Sequence, residues 1–184
     1  MIVGGLDVST KRIGYAAPRG ELVSITARAG ADDPVRRLHE LWGGILATVH
    51  RYPPFPDVMV IEDYSLGMMT RTKSTASGTH KTPMGVLSKI RLGEVGGIAR
   101  VACFEAGINI VLVNPSTLKR FATGRGNADK EAMIAAAVRA GARASVNDDE
   151  ADAFHLRRMG MAAHGLLVGP LTDYEADAIS TITW

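Results

Sequence analysis

Gly4-Gly5-Leu6-Asp7-Val8-Ser9-Thr10-Lys11-Arg12-Ile13-Gly14-Tyr15 is the stretch whose reading decides the fold. An apolar run from Met1 to Leu6 ends on one acid, Asp7. A small polar turn follows, then a second apolar run through Ile13 to Ala17. This pattern predicts a strand, a tight turn and an antiparallel return strand. So apolar a first strand belongs in the middle of a sheet. A carboxylate at the end of a buried strand is costly unless a metal, a cation or hydrogen bonds compensate it. Asp is also a common turn residue, so bonding to the turn amides is the simpler reading of Asp7 taken alone. Three later acids, each where a metal site would want one, turn the balance.

Working outward, residues 1 to 8, 12 to 18 and 21 to 28 read as three short strands. Asp33-Pro34 opens a helix, with Asp33 as cap and Pro34 in the first turn. Val35, Leu38, Leu41, Trp42, Ile45, Leu46 and Val49 form its apolar face, and Tyr52-Pro53-Pro54 ends it. Residues 57 to 63 read as a buried strand finishing on Glu62. Residues 65 to 83 have no apolar period and are expected to form a mobile basic loop. A long helix over 84 to 106 carries Gly93, Gly96 and Gly97, where another backbone could approach. Asn109 to Val113 is the next strand. Short helices follow Asn114-Pro115 and the glycine turn Thr123-Gly124-Arg125-Gly126-Asn127, and a last main helix, capped by Asn147 or Asp148, runs to about Ala163. Residues 165 to 184 form a tail of unassigned role. The order predicts a single α/β domain over 1–184, with a mixed five-stranded sheet ordered 3-2-1-4-5 and helices on both faces. Strand 1 beside strand 4 sets Asp7 beside Glu62.

With 184 residues and 46% hydrophobic composition, the chain can bury a full core. Its one cysteine, Cys103, excludes an internal disulfide and a cysteine-based zinc site. No apolar run reaches membrane-spanning length and no signal-peptide pattern stands at the start, so a cytoplasmic protein is expected. Net charge is only +2. Its distribution says more. Tyr64 to Gly93 holds five Lys or Arg (Arg71, Lys73, Lys81, Lys89, Arg91) and no acid, whereas Ser145 to Trp184 holds seven acids and two Arg. A basic arm beside an acidic cluster suits a protein that holds an anion near a metal; a solvated loop is the plainer account.

Asn147-Asp148-Asp149-Glu150-Ala151-Asp152 starts the last main helix, where acids favour the helix dipole. Asp149 and Asp152 are also i and i+3, hence on one face. If that face meets the strand ends, Asp7, Glu62, Asp149 and Asp152 converge. Four carboxylates together repel one another unless cations intervene. All-oxygen ligands select Mg²⁺, with Mn²⁺ able to substitute. Two such ions about 4 Å apart can activate water and stabilise the leaving oxygen of a phosphodiester. His155, three residues after Asp152, could serve as an outer group of this site or as a helix-face residue with a local hydrogen bond. Met68 and Met69 could wedge into DNA or mark a loop tip.

These motifs resemble the RuvC-type Holliday-junction resolvases, which have the ribonuclease-H-like fold. Gly5-Leu6-Asp7 with Gly14-Tyr15 resembles the family's first acidic strand and its return, and Val60-Ile61-Glu62 resembles the second. Asn114-Pro115, Lys119 and Thr123 to Lys130 are similar to its proline, lysine and glycine-turn-lysine segment. Asp149-Glu150-Ala151-Asp152 is similar to its closing Asp-x-x-Asp. The resemblance implies a crossover junction endonuclease of recombination and repair, with metal ligands Asp7, Glu62, Asp149 and Asp152 and functional lysines Lys119 and Lys130. DNA contacts are expected from Tyr64, Lys119, Arg125 and Lys130, and, from the charge distribution, Arg71, Lys73 and Lys81 in a loop more basic than the family's. Two Mg²⁺ per site and branched DNA as partner go with this reading. A four-way junction has two equivalent strands to cut, so a homodimer joined through the 84–106 helix is expected, although the same surface could cover the sheet of one subunit. No helicase partner can be read. Typical bacterial members carry an aromatic three residues after the second acid; here that position is Ser65, and Tyr64 is the nearest ring. Alternatives are a broader flap nuclease of the same fold, a non-catalytic junction-binding protein, and an actin-like ATPase. The last rests on Asp7-Val8-Ser9-Thr10 as a phosphate loop, but 184 residues leave little room for a second one.

Overall fold

The computed structural model describes residues 1–10, 12–30, 32–63, 70–75, 78–83 and 85–184, and of 70–75 and 78–83 the backbone alone. The main sheet holds β1 (Val3–Val8), β2 (Ile13–Ala16), β3 (Leu22–Ile25), β4 (Val58–Glu62) and β7 (Asn109–Val113). Its order is β3-β2-β1-β4-β7, as expected from the sequence. β1 pairs antiparallel with β2 and parallel with β4, and β4 pairs parallel with β7. Every residue of β1 is buried, as a central strand with both faces covered requires.

The two faces follow from the period of two along a strand. Leu6, Val8, Met59 and Ile61 pack into one core with α1 (Pro34–Arg51) and α2 (Val86–Glu105). Val3, Val58 and Val60 belong to the other core, beneath α5 (Asp148–Ala163), with α3 (Pro115–Thr123) alongside. α5 lies very close to the sheet. A methyl group on Gly5 would collide with the Ala153 carbonyl, and one on Gly14 with the Asp149 carbonyl. Glycine at these two positions sets the depth at which α5 sits.

α1 is capped as expected, Asp33 accepting from the Arg36 amide. Its first apolar residue, Val35, is 77% exposed, because only Leu41, Ile45 and Val49 lie over the sheet fully enough to be buried. α4 (Lys130–Arg139) is capped by Asp129, and α5 by Asn147 in a capping box with Glu150. The segment expected as a mobile basic loop contains β5 (Thr70–Thr75) and β6 (Gly78–Pro83), which pair antiparallel as a separate two-stranded sheet. Thr70-Arg71-Thr72-Lys73 has no alternating apolar residues and so gave no periodic signal, yet its β-branched threonines suit a strand. Tyr64, Ser65, Met68 and Met69 lie outside the described residues.

The terminal segment also has structure. α6 (Asp173–Ser180) is capped by Thr172. Its buried Glu175 accepts from Arg158 of α5 at 2.5 Å, and Ile179, Ile182 and Trp184 pack against the core under α5. No described helix is long and apolar enough to cross a membrane.

Candidate metal centre

Leu6 stands opposite Ile61 in the parallel β1–β4 pair. The next residue on each strand is therefore the acid, Asp7 beside Glu62, both on the α5 face. Asp152 comes down from the second turn of α5. One oxygen from each of Asp7, Glu62 and Asp152 lies within 4.8 Å of the others. Asp7 is 5% exposed. Among the described residues, Asp152 Oδ1 is sealed from solvent with no hydrogen-bond partner. Burial pushes the Glu62 carboxyl up, and the Asp152 charge pushes it further; a hydrogen bond with Asp7 and the Lys119 charge pull it down only partly. Burial and then the Asp7 charge raise Asp152 well above the usual carboxylate range, with Lys119 opposing. Three carboxylates this close favour protons, or a cation, over mutual repulsion.

Asp149 is placed differently. It is buried, but its Oδ2 accepts from Arg12 Nε in the β1–β2 turn. The other arm of that guanidinium, Nη2, donates to Asp148 Oδ1 at 2.6 Å. Asp148 Oδ2 is taken by Lys130 Nζ. Burial pushes Asp148 up, and the hydrogen bond and charge of Lys130, with the charge of Arg12, outweigh it and hold the carboxyl low. Burial dominates at Asp149, which stays raised despite Arg12. Among the described residues the close cluster is thus a triple, Asp7, Glu62 and Asp152, with Asp149 in a neighbouring ion-paired group.

Glu150 anchors this helix end. It accepts from Ser24 at 2.9 Å and from Arg143 at 2.6 Å, and it closes the capping box. It is a positioning group, not a member of the triple. His155 also stays outside. It is 1% exposed, its Nε2 meets the Met133 carbonyl at 3.2 Å, and burial lowers it to about 4. Lys119 is half-buried on α3, and its charge reaches Glu62 and Asp152. Arg125 is exposed in the α3–α4 turn. Arg71 and Lys73 lie on β5 and Lys81 on β6; Lys73 is opposite His80 and Lys81 opposite Thr72. Arg12 is the residue that sequence reading missed. Its signal was the basic pair Lys11-Arg12 in the turn directly after the first acidic strand.

The donor set suits a hard divalent cation: all oxygen, largely buried, with one oxygen lacking a partner. A central mixed sheet with carboxylates at the ends of β1 and β4, met by a helix carboxylate, defines a ribonuclease-H-like domain with an acidic centre.

No family model matches the chain. Individual relatives do. It is 30% identical over 159 residues to the crossover junction endodeoxyribonuclease RuvC of an Anaeromyxobacter species, covering 85% of this chain and 70% of that protein. It is 28% identical to the RuvC of Anaeromyxobacter dehalogenans, over 88% of this chain and 84% of the relative. For the RuvC of Chloroflexus aggregans the figures are 26%, 70% and 72%. The chain belongs to the RuvC family of crossover junction endodeoxyribonucleases. Solved structures share the fold. Thermus thermophilus RuvC superposes with a TM-score of 0.58, at 20% identity, over 85% of this chain and 90% of that one. The same protein in complex with a Holliday junction substrate gives 0.60 at 20% identity, over 90% and 97%.

Proposed function

We propose that this chain is a metal-dependent endodeoxyribonuclease that resolves four-way DNA junctions by paired, symmetric nicks. The observation that carries the reading is the triple of Asp7, Glu62 and Asp152, with the unpartnered Asp152 oxygen, in a chain of this family. These three would hold a first Mg²⁺ or Mn²⁺, and Asp149, from the same helix, would join them for a second. Bound there, the metal supplies a Lewis acid and lowers the pKa of water at the scissile phosphate. The chain's own groups do the rest. β1 and β4 hold two carboxylates rigidly at adjacent strand ends. α5 aims the third. Lys119 sets a positive charge beside them, where charge develops during phosphodiester cleavage.

Arg125, Lys130 and the basic residues of the β5–β6 ribbon, Arg71, Lys73 and Lys81, are the cations suited to phosphates, whose contacts fix register without reading sequence. Tyr64 is the ring available for stacking at the crossover. Two equivalent strands must be cut, so a two-fold dimer is the fitting assembly. α2 offers the surface: Val86, Leu87, Ile90, Val101 and Phe104 are exposed, and Gly93 and Gly97 have open space over their Cα atoms. Gly96, expected as a close-approach position with Gly93 and Gly97, is buried within the subunit, as is its neighbour Val95 in the core.

The test is cleavage of a synthetic four-way junction against duplex, flap and RNA–DNA hybrid, with and without Mg²⁺. Mg²⁺-dependent, paired cutting of the junction is expected. Equal cutting of plain duplex would leave a general nuclease, and binding without cutting would leave a junction-binding protein.

A further inference from the structure

We infer that Arg12 is a tethered cation that keeps Asp149 from the second metal ion until DNA arrives. This rests on the two-ion reading above. The β1–β2 turn holds the Arg12 backbone firmly: its amide donates to Ser9 Oγ at 3.1 Å, while Ser9 Oγ and the Ser9 amide donate to the Arg12 carbonyl at 2.6 and 3.1 Å. From that fixed base the guanidinium forks across two adjacent carboxylates, Nε to Asp149 and Nη2 to Asp148.

The two acids are not equally committed. Asp148 has a second cation, Lys130, on its other oxygen. The cations paired with Asp149 reduce to Arg12 among the described residues. If the fork swings away, Asp148 stays neutralised and Asp149 does not. Release of Arg12 therefore frees the carboxylate that stands i−3 from Asp152, on the face already carrying the triple. The side chain is a third exposed, so it has a path outward. The acceptor it matches is a phosphate, which takes the same bidentate fork as a carboxylate. A DNA strand crossing the acidic centre would draw Arg12 off Asp149 and so complete the second site only when substrate is present. Loading of the first ion, on Asp7, Glu62 and Asp152, does not involve Arg12.

The experiment is calorimetric titration of Mn²⁺ into the DNA-free full chain, as wild type, Arg12→Ala and Arg12→Gln. Each variant's fold is checked by thermal melting in chelator. Wild type is expected to take one ion well and a second weakly. Both variants should tighten the second site by about tenfold or more, the scale on which neighbouring groups tune metal affinity, and leave the first nearly unchanged. Equal tightening of both sites would mean that only a positive charge was lost, and would overturn the inference. So would no change at either. A lower melting midpoint without a shift at the second site would make Arg12 a structural clip. Glu62→Gln separates the underlying reading: if it still takes the first ion like wild type, the metal centre itself is misassigned. Ca²⁺ titration with and without a bound four-way junction tests the trigger. The junction should strengthen the second site in wild type and have little effect in Arg12→Ala; no strengthening in wild type rejects coupling to DNA.

Discussion

At the scale of the residue, the centre depends on charge more than shape. Asp7→Asn, Glu62→Gln, Asp149→Asn and Asp152→Asn keep side-chain volume but remove the anion. Each is expected to lower junction cleavage by about a hundredfold or more while leaving junction binding largely intact, a loss comparable to removing one preorganised electrostatic group. Single-turnover cleavage and gel-shift assays on the same preparations check this. Full activity in the Asp7 or Glu62 variant would end the assignment; loss in Asp148→Asn but not Asp149→Asn would make Asp148 the ligand. The same carboxylates give the metal-free protein a characteristic pH response. Glu62 is raised from 4.5 to about 7 in the fold. The folded state thus holds its proton more tightly than the unfolded chain. That stability is fully present below pH 4.5 and is lost as pH rises through about 7. In chelator, the melting midpoint should fall across this window, and Glu62→Gln should flatten the fall. Added Mn²⁺ should reverse the slope, because the deprotonated cluster is the form that binds it. A midpoint rising steadily from pH 5 to 7 in chelator would contradict the raised carboxyl.

At the scale of the element, α5 does two jobs through opposite ends of its first turns. Asn147 and Glu150 lock its start to Ser24 and Arg143, and Gly5 and Gly14 let it rest on the sheet. Asp152 is placed by both. The β5–β6 ribbon is expected to contribute through the charges of Arg71, Lys73 and Lys81. Replacing Arg71, Lys73 and Lys81 together with Ala should weaken binding to junction and duplex alike. The slope of log affinity against log salt should flatten by up to about 2.7, three phosphate contacts at roughly 0.9 each. An unchanged slope, measured by fluorescence anisotropy over a salt series, would show that the ribbon does not meet DNA.

At the scale of the whole molecule, α2 presents apolar side chains that the described residues leave uncovered: Phe104 is 80% exposed and Val86 74%. Apolar surface of this kind marks an interface, and a two-fold dimer would bury on the order of 1,600 Å² there. Gly97 has open space over its Cα, so Gly97→Arg should fold normally as a monomer. It should nick junctions but lose coordination between the two cuts. Light scattering at micromolar concentration, with a supercoiled cruciform plasmid to separate nicked from linear product, reads both. A monomeric wild type with undiminished paired cutting would reject the dimer.

The sequence by itself determined the main sheet, its order and the pairing of Asp7 with Glu62. Those follow from apolar runs, turn residues and the period-two rule, which are local and repeat along the chain. It also carried the placement of Asp152, through its position one turn into a capped helix. Only the tertiary structure decided that Asp149 faces Arg12 rather than the triple, that His155 turns to Met133, and that Val95 belongs to the core. It decided, too, that residues 70–75 and 78–83 pair with each other. The physical reason is the same in the first three cases. Arg12 and Asp149 are 137 positions apart in the chain, and whether a carboxylate meets a metal or a guanidinium depends on how far a helix is rotated over a sheet. Spacing along the chain gives the face of the helix but not that last rotation.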